Sequence, residues 1–175
     1  MKNTFVAVLW LMLGAAAYGD NYNWNYIDLG VNDNGDQTGP MFTLSSELGE
    51  SVFIRSNIMR LDYDDADAES LFSFYTAGYR GSVLYAELGL ARMDICQQIC
   101  EDDYGTMAML GVSVGDNKLN AKVGIGAMDL LNKTWRIFEA DASYAISDNI
   151  GLYIGIMQLE DIVDSTTRLG VRFSW

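Results

Sequence analysis

The residues able to do chemistry in this 175-residue chain are mostly carboxylates, and no histidine stands beside any of them. A serine nucleophile ordinarily needs an adjacent base, usually histidine, so Ser-His and Asp-His arrangements are removed outright. Glu139 and Asp141 fall on one face of a strand-like segment, and paired carboxylates can run acid–base chemistry. The simpler expectation is that they neutralise cations in a packed interior. A second acidic run, Asp62, Asp64, Asp65, Asp67 and Glu69, offers alternate oxygen ligands. It lacks the glycine at the sixth loop position and the closing glutamate of a calcium loop. It reads as a solvated acidic rim holding at most loosely bound divalent cations, with no dedicated cofactor. The only two cysteines, Cys96 and Cys100, share one short stretch. In an exported chain that spacing predicts a local disulfide, and a zinc site would need further ligands.

The elements that must carry these residues alternate with period two, which predicts strands. The clearest is Lys118–Asp129, where Leu119, Ala121, Val123, Ile125 and Ala127 oppose Lys118, Asn120, Lys122, Gly124 and Gly126. Ten such segments follow one another from Trp24 to Trp175, separated by Gly/Asn/Asp turns. Eight is the fallback if the first hairpin or the fourth segment, Leu71–Arg80, is misread; the facing of that fourth segment stays open. In the third segment the alternation slips near Met59, suggesting a bulge. Segments of about nine to eleven residues are long enough to cross a bilayer when tilted. Short turns near residues 49, 80, 116 and 148 alternate with longer connections near 35, 66, 98, 132 and 163. That is the rhythm of an all-β, closed antiparallel transmembrane barrel with both ends on the short-turn side.

Both termini agree. Lys2, the apolar run from Phe5 to Tyr18, and Ala17 and Gly19 before Asp20 read as a secretory signal over residues 1–19, leaving 20–175 as one barrel domain. The last residues place Leu169, Val171, Phe173 and Trp175 on one face, so the chain closes on an aromatic strand end. The net charge of −13 excludes nucleic acid as a partner.

Several short motifs carry a resemblance. They are the Tyr-rich stretch Tyr22–Tyr26, the Asn/Asp/Gly run Asn32–Gly39, the strand end Leu61, Asp62, Tyr63 and Asp64, the Gly78-Tyr79-Arg80 closure and the aromatic terminus. The layout resembles small proteobacterial outer-membrane β-barrel proteins of the outer-membrane protein β-barrel domain family. That resemblance implies a Gram-negative outer-membrane location after signal cleavage, and outer-membrane lipid and lipopolysaccharide as surroundings. It also implies recognition of the C-terminal strand by the barrel assembly machinery.

Alternation alone does not say which face is inside, since a lipocalin-like soluble barrel would turn its apolar face inward. The polar face decides. It mixes glycines, among them Gly78, Gly111, Gly124 and Gly155, with nearly balanced charges: Asp28, Glu47, Glu87, Glu139 and Asp141 against Arg55, Arg80, Lys122, Arg168 and Arg172. Glycine makes room in a crowded interior, and paired charges avoid the cost of burying them singly. The expectation is a lumen plugged by an ion-pair network, helped by Tyr26, Tyr85 and Tyr153, with girdle aromatics Tyr79, Tyr144, Phe173 and Trp175 outside. Such a barrel has a structural or surface role without catalysis. The alternatives are a narrow porin-like channel for small solutes, an envelope lipid enzyme and a soluble periplasmic carrier.

Overall fold

The computed structural model describes residues 22–63, 69–96, 100–160 and 163–175. The expected signal segment lies outside them, as do Asp64, Asp65 and Asp67. Ten strands form: β1 (Tyr26–Asp33), β2 (Gln37–Glu47), β3 (Val52–Tyr63), β4 (Glu69–Arg80), β5 (Leu84–Cys96), β6 (Cys100–Gly115), β7 (Leu119–Leu130), β8 (Lys133–Ala145), β9 (Ile150–Leu159) and β10 (Val163–Ser174). Each pairs antiparallel with its chain neighbours, and β10 returns to β1 to close the barrel. The seam runs from Tyr26 opposite Ser174 to Asp33 opposite Thr167. Closure leaves no open sheet edge, which the hydrocarbon of a bilayer would not tolerate.

The apolar face points outward. Leu88 is 69% exposed, and Leu29, Leu110, Ile125, Ile154 and Leu169 are likewise exposed, while Lys122 is wholly buried. A skin of this extent would be an aggregation surface in water; in lipid it is the stable arrangement. Tyr79, Tyr144, Phe173 and Trp175 also face out near the end that carries the termini, where amphipathic aromatics favour the interface.

The structure corrects three expectations. There is no bulge at Met59: β3 keeps one register against β2 and against β4 through that residue. The pattern slips because Met59 and Leu61 both point into the barrel, so the inner face itself turns apolar there. The connections at the end away from the termini, called the loop end below, are not long either. Leu131 and Asn132 alone join β7 to β8, because the ladder continues upward through residues expected to be loop. Third, the interior is not polar throughout. β4 settles its facing by sending Phe72 and Phe74 inward and leaving Tyr75 and Tyr79 outside. They join Met93, Met107, Met128 and Leu159 in an apolar core filling the loop-end half of the lumen.

At the tip of the β5–β6 hairpin, Cys96 and Cys100 face each other in the ladder and form a disulfide. At the opposite end the chain enters the barrel before β1 begins. Tyr22 and Trp24 precede the first strand yet are buried with Tyr26, Phe53 and Tyr85 in an aromatic cluster. Trp24 stacks on Phe53 at 3.8 Å between ring centroids. The lumen is therefore filled in layers: aromatic at the terminal end, charged in the middle, apolar toward the loops.

Candidate functional site

The charged layer gathers six ionisable side chains inside the barrel, and strand alternation places each member. Arg55 on β3, Glu87 on β5, Lys122 on β7, Glu139 and Asp141 on β8, and Arg168 on β10 all occupy inward positions. Glu139 is the hub. Arg55 Nη1 donates to both its oxygens, at 2.9 and 2.8 Å; Arg168 Nη2 reaches Oε1 at 3.1 Å and Lys122 Nζ lies 3.4 Å from the same atom. Asp141 receives Arg168 Nη2 at 2.6 Å and the Tyr153 hydroxyl at 2.8 Å, with Lys122 Nζ at 3.2 Å. Glu87 receives Arg55 Nε at 3.1 Å and the Thr76 hydroxyl at 2.8 Å.

Three cations thus face three carboxylates, and the layer carries no net charge. Burial of any one alone would be prohibitive, whereas a closed set of pairs is tolerated. A second, self-contained pair lies nearer the termini. Asp28 takes a bidentate grip from Arg172, with both hydrogen bonds at 2.7 Å. Arg172 also donates to the Tyr22 and Ser143 hydroxyls at 3.1 Å each, and its guanidinium lies 3.8 Å from the Tyr26 ring centroid.

Glu47 does not join the network. It stands at the terminal rim with its side chain 23% exposed, 2.8 Å from Arg80. Register explains this: Glu47 is the last residue of β2, whereas the network members lie further along their strands. Of the acidic run, Asp62 and Glu69 both close on Arg60, each at 2.6 Å. Among the described residues no group of three or more His, Cys, Asp or Glu is placed to hold a metal ion.

Glycines shape the layer. A Cβ on Gly155 would meet the Asp141 carboxylate, the Tyr153 hydroxyl and Arg168 Nε. One on Gly124 would meet the Tyr85 hydroxyl and Met109, and one on Gly78 the Phe53 ring. These positions are sockets for the large side chains opposite. Sequence reasoning gave Tyr22 and Trp24 no inward role, although Trp24 opens the first predicted strand, and it did not single out Thr76 and Ser143 as hydrogen-bond partners of the buried charges. It also missed the apolar inner half. Its one signal is a set of apolar pairs spaced by two on the inner face, Met107 with Met109, Met128 with Leu130, and Met157 with Leu159.

No family model matches the chain, and no curated protein is similar to it in sequence. Among solved structures, the translocator domain of autotransporter NalP from Neisseria meningitidis superposes with a TM-score of 0.50 at 12% identity, covering 98% of each chain. The NanC porin gives 0.47 at 11% identity over 86% of this chain and 99% of its own. A porin refined at 1.8 Å resolution gives 0.40 at 11% identity; the match covers 86% of this chain and 58% of the porin. At such identities the likeness is one of fold, a closed antiparallel β-barrel.

Proposed function

We propose that this chain is a small integral outer-membrane barrel of a Gram-negative bacterium, with a plugged lumen and a structural or surface-interaction role without catalysis. One observation carries the reading: Lys122, Glu139 and Arg168 interlock at the barrel centre with 0%, 1% and 1% of their side chains exposed. An aqueous pore would leave such groups solvated. The aromatic cluster around Trp24 at one end and the methionine-rich core at the other support the same conclusion. Catalysis is disfavoured because each carboxylate of the network is already held by a cation at 3.4 Å or less.

Within this reading residues 1–19 act as a cleaved signal. The strand ending in Phe173 and Trp175 is the part read by the barrel assembly machinery. The acidic loop end faces the medium, among lipopolysaccharide and loosely held divalent cations. Single-barrel recordings in planar bilayers test it. Silence is expected; steady conductance would replace the plugged barrel by a narrow channel for small solutes.

A further inference from the structure

The outer wall of the barrel is not uniform. On β5 to β8 two cross-strand rows lie side by side: Ala86, Leu110, Ile125, Phe138 in one, and Leu88, Ala108, Ala127, Arg136 in the other. Ala108 and Ala127 are direct partners, so two short side chains meet where the neighbouring row carries Leu110 and Ile125. The result is an outward groove of about 930 Å³, apolar along its length and ending at Arg136, Gln158 and Glu160.

The next row toward the loops changes character abruptly. Thr106 faces Asp129, which faces Thr134. These three, with Lys133, line a polar notch of about 430 Å³ directly above the groove. Arg136, at the boundary, has 83% of its side chain exposed, and its contact with Glu160 is a solvated 3.4 Å pair. Such a pair is weak and easily exchanged.

We infer that this groove and notch form a specific seat for one lipopolysaccharide molecule of the loop-side leaflet, an acyl glycolipid bearing phosphate. The inference rests on the outer-membrane reading above. One acyl chain lies along Ala108 and Ala127, where its methylenes fill the depression that the bulkier neighbours leave. Arg136 takes a phosphate of the headgroup, for which a planar guanidinium is suited. The Thr106 hydroxyl can donate to or accept from sugar hydroxyls, while the Thr134 hydroxyl, which itself donates to Asp129 Oδ1, and the Asp129 carboxylate accept from them. That mixture of two cations, Arg136 and Lys133, with hydroxyls and the Asp103 and Asp129 carboxylates fits a phosphorylated sugar better than a bare anionic headgroup.

Native mass spectrometry of the folded, detergent-released barrel tests this, with bisphosphorylated lipid A as the probe. Dephosphorylated lipid A and phosphatidylglycerol serve as competitors. Wild type is expected to retain one lipid A, and Arg136→Gln and Ala127→Phe to weaken retention on the order of tenfold each. Lys118→Gln, at the opposite end, is expected to leave it unchanged. Heat-modifiable gel migration reports the barrel independently. Folded variants that hold lipid A as wild type does would overturn the seat while leaving the barrel reading intact. Equal retention of dephosphorylated lipid A or of phosphatidylglycerol would overturn it as well. A wild type that shows no heat-modifiable band would sink the barrel reading and the seat with it.

Discussion

Arg55 and Glu139 lie on β3 and β8, strands diametrically opposite in the ring of ten, and are joined by hydrogen bonds of 2.9 and 2.8 Å across the lumen. The pair therefore braces the two walls of the barrel against each other. Its partners Lys122 and Arg168 bring β7 and β10 into the same brace.

Glu139→Gln leaves three buried cations facing two carboxylates. The variant is expected to lose about 3–5 kcal/mol of stability, the usual cost of stranding a buried charge. Urea unfolding in lipid vesicles measures it. The double variant Lys122→Met/Glu139→Gln restores neutrality and should recover part of the loss. A double variant no more stable than the single one would show that charge balance is not what holds the layer together.

Gly155→Ala inserts a methyl group where Asp141, Tyr153 and Arg168 converge. Overpacking of this kind costs about 1–3 kcal/mol. Gly49→Ala, where a Cβ meets nothing within 4 Å, should change the unfolding midpoint little. Equal effects at the two positions would remove the argument that Gly155 is a socket.

The β7–β8 turn holds Leu131 and Asn132 at φ of 54° and 56°. A two-residue hairpin turn with both φ positive suits asparagine and glycine, and is strained for leucine. Leu131→Asn should therefore stabilise the barrel by about 1 kcal/mol. An unchanged or lowered unfolding midpoint would contradict this.

Asp116 opens the β6–β7 turn, where the backbone N–H groups of Leu119 and Lys118 each donate to Oδ1 at 2.7 Å. These bonds favour the ionised carboxylate and hold its pKa below the usual aspartate value. The stabilisation is thus fully present above the ordinary aspartate pKa of 3.8 and fades as pH falls through the lower folded value. The midpoint difference between wild type and Asp116→Ala should be constant near neutrality and shrink only in acid. A difference that grew in acid would refute the assignment.

The Cys96–Cys100 bridge spans only the tip of one hairpin. Reduction should leave heat-modifiable migration intact, because closure depends on the β1–β10 seam at the other side of the barrel. Loss of the folded band on reduction would mean that the hairpin tip governs assembly.

Strict alternation along β7 and β9 was enough to predict strands, with ten as the count and eight as the fallback, and one apolar face on each. Balanced charges and interspersed glycines were enough to turn the polar face inward, and Asp28, Arg55, Glu87, Lys122, Glu139, Asp141, Arg168 and Arg172 could all be named as inward-facing. Two things were not legible. Where Met59, Leu61, Met107 and Met128 face inward while Ile58, Leu110 and Ile125 face lipid, both faces are apolar and the period-two signal vanishes. That is why the third segment looked bulged and the interior looked polar throughout. Nor could alternation say that Arg55 meets Glu139, or that Trp24 folds back onto Phe53. A strand's sequence sets which face a side chain takes; only closure of ten strands at one register decides which walls oppose each other and at what height their residues meet.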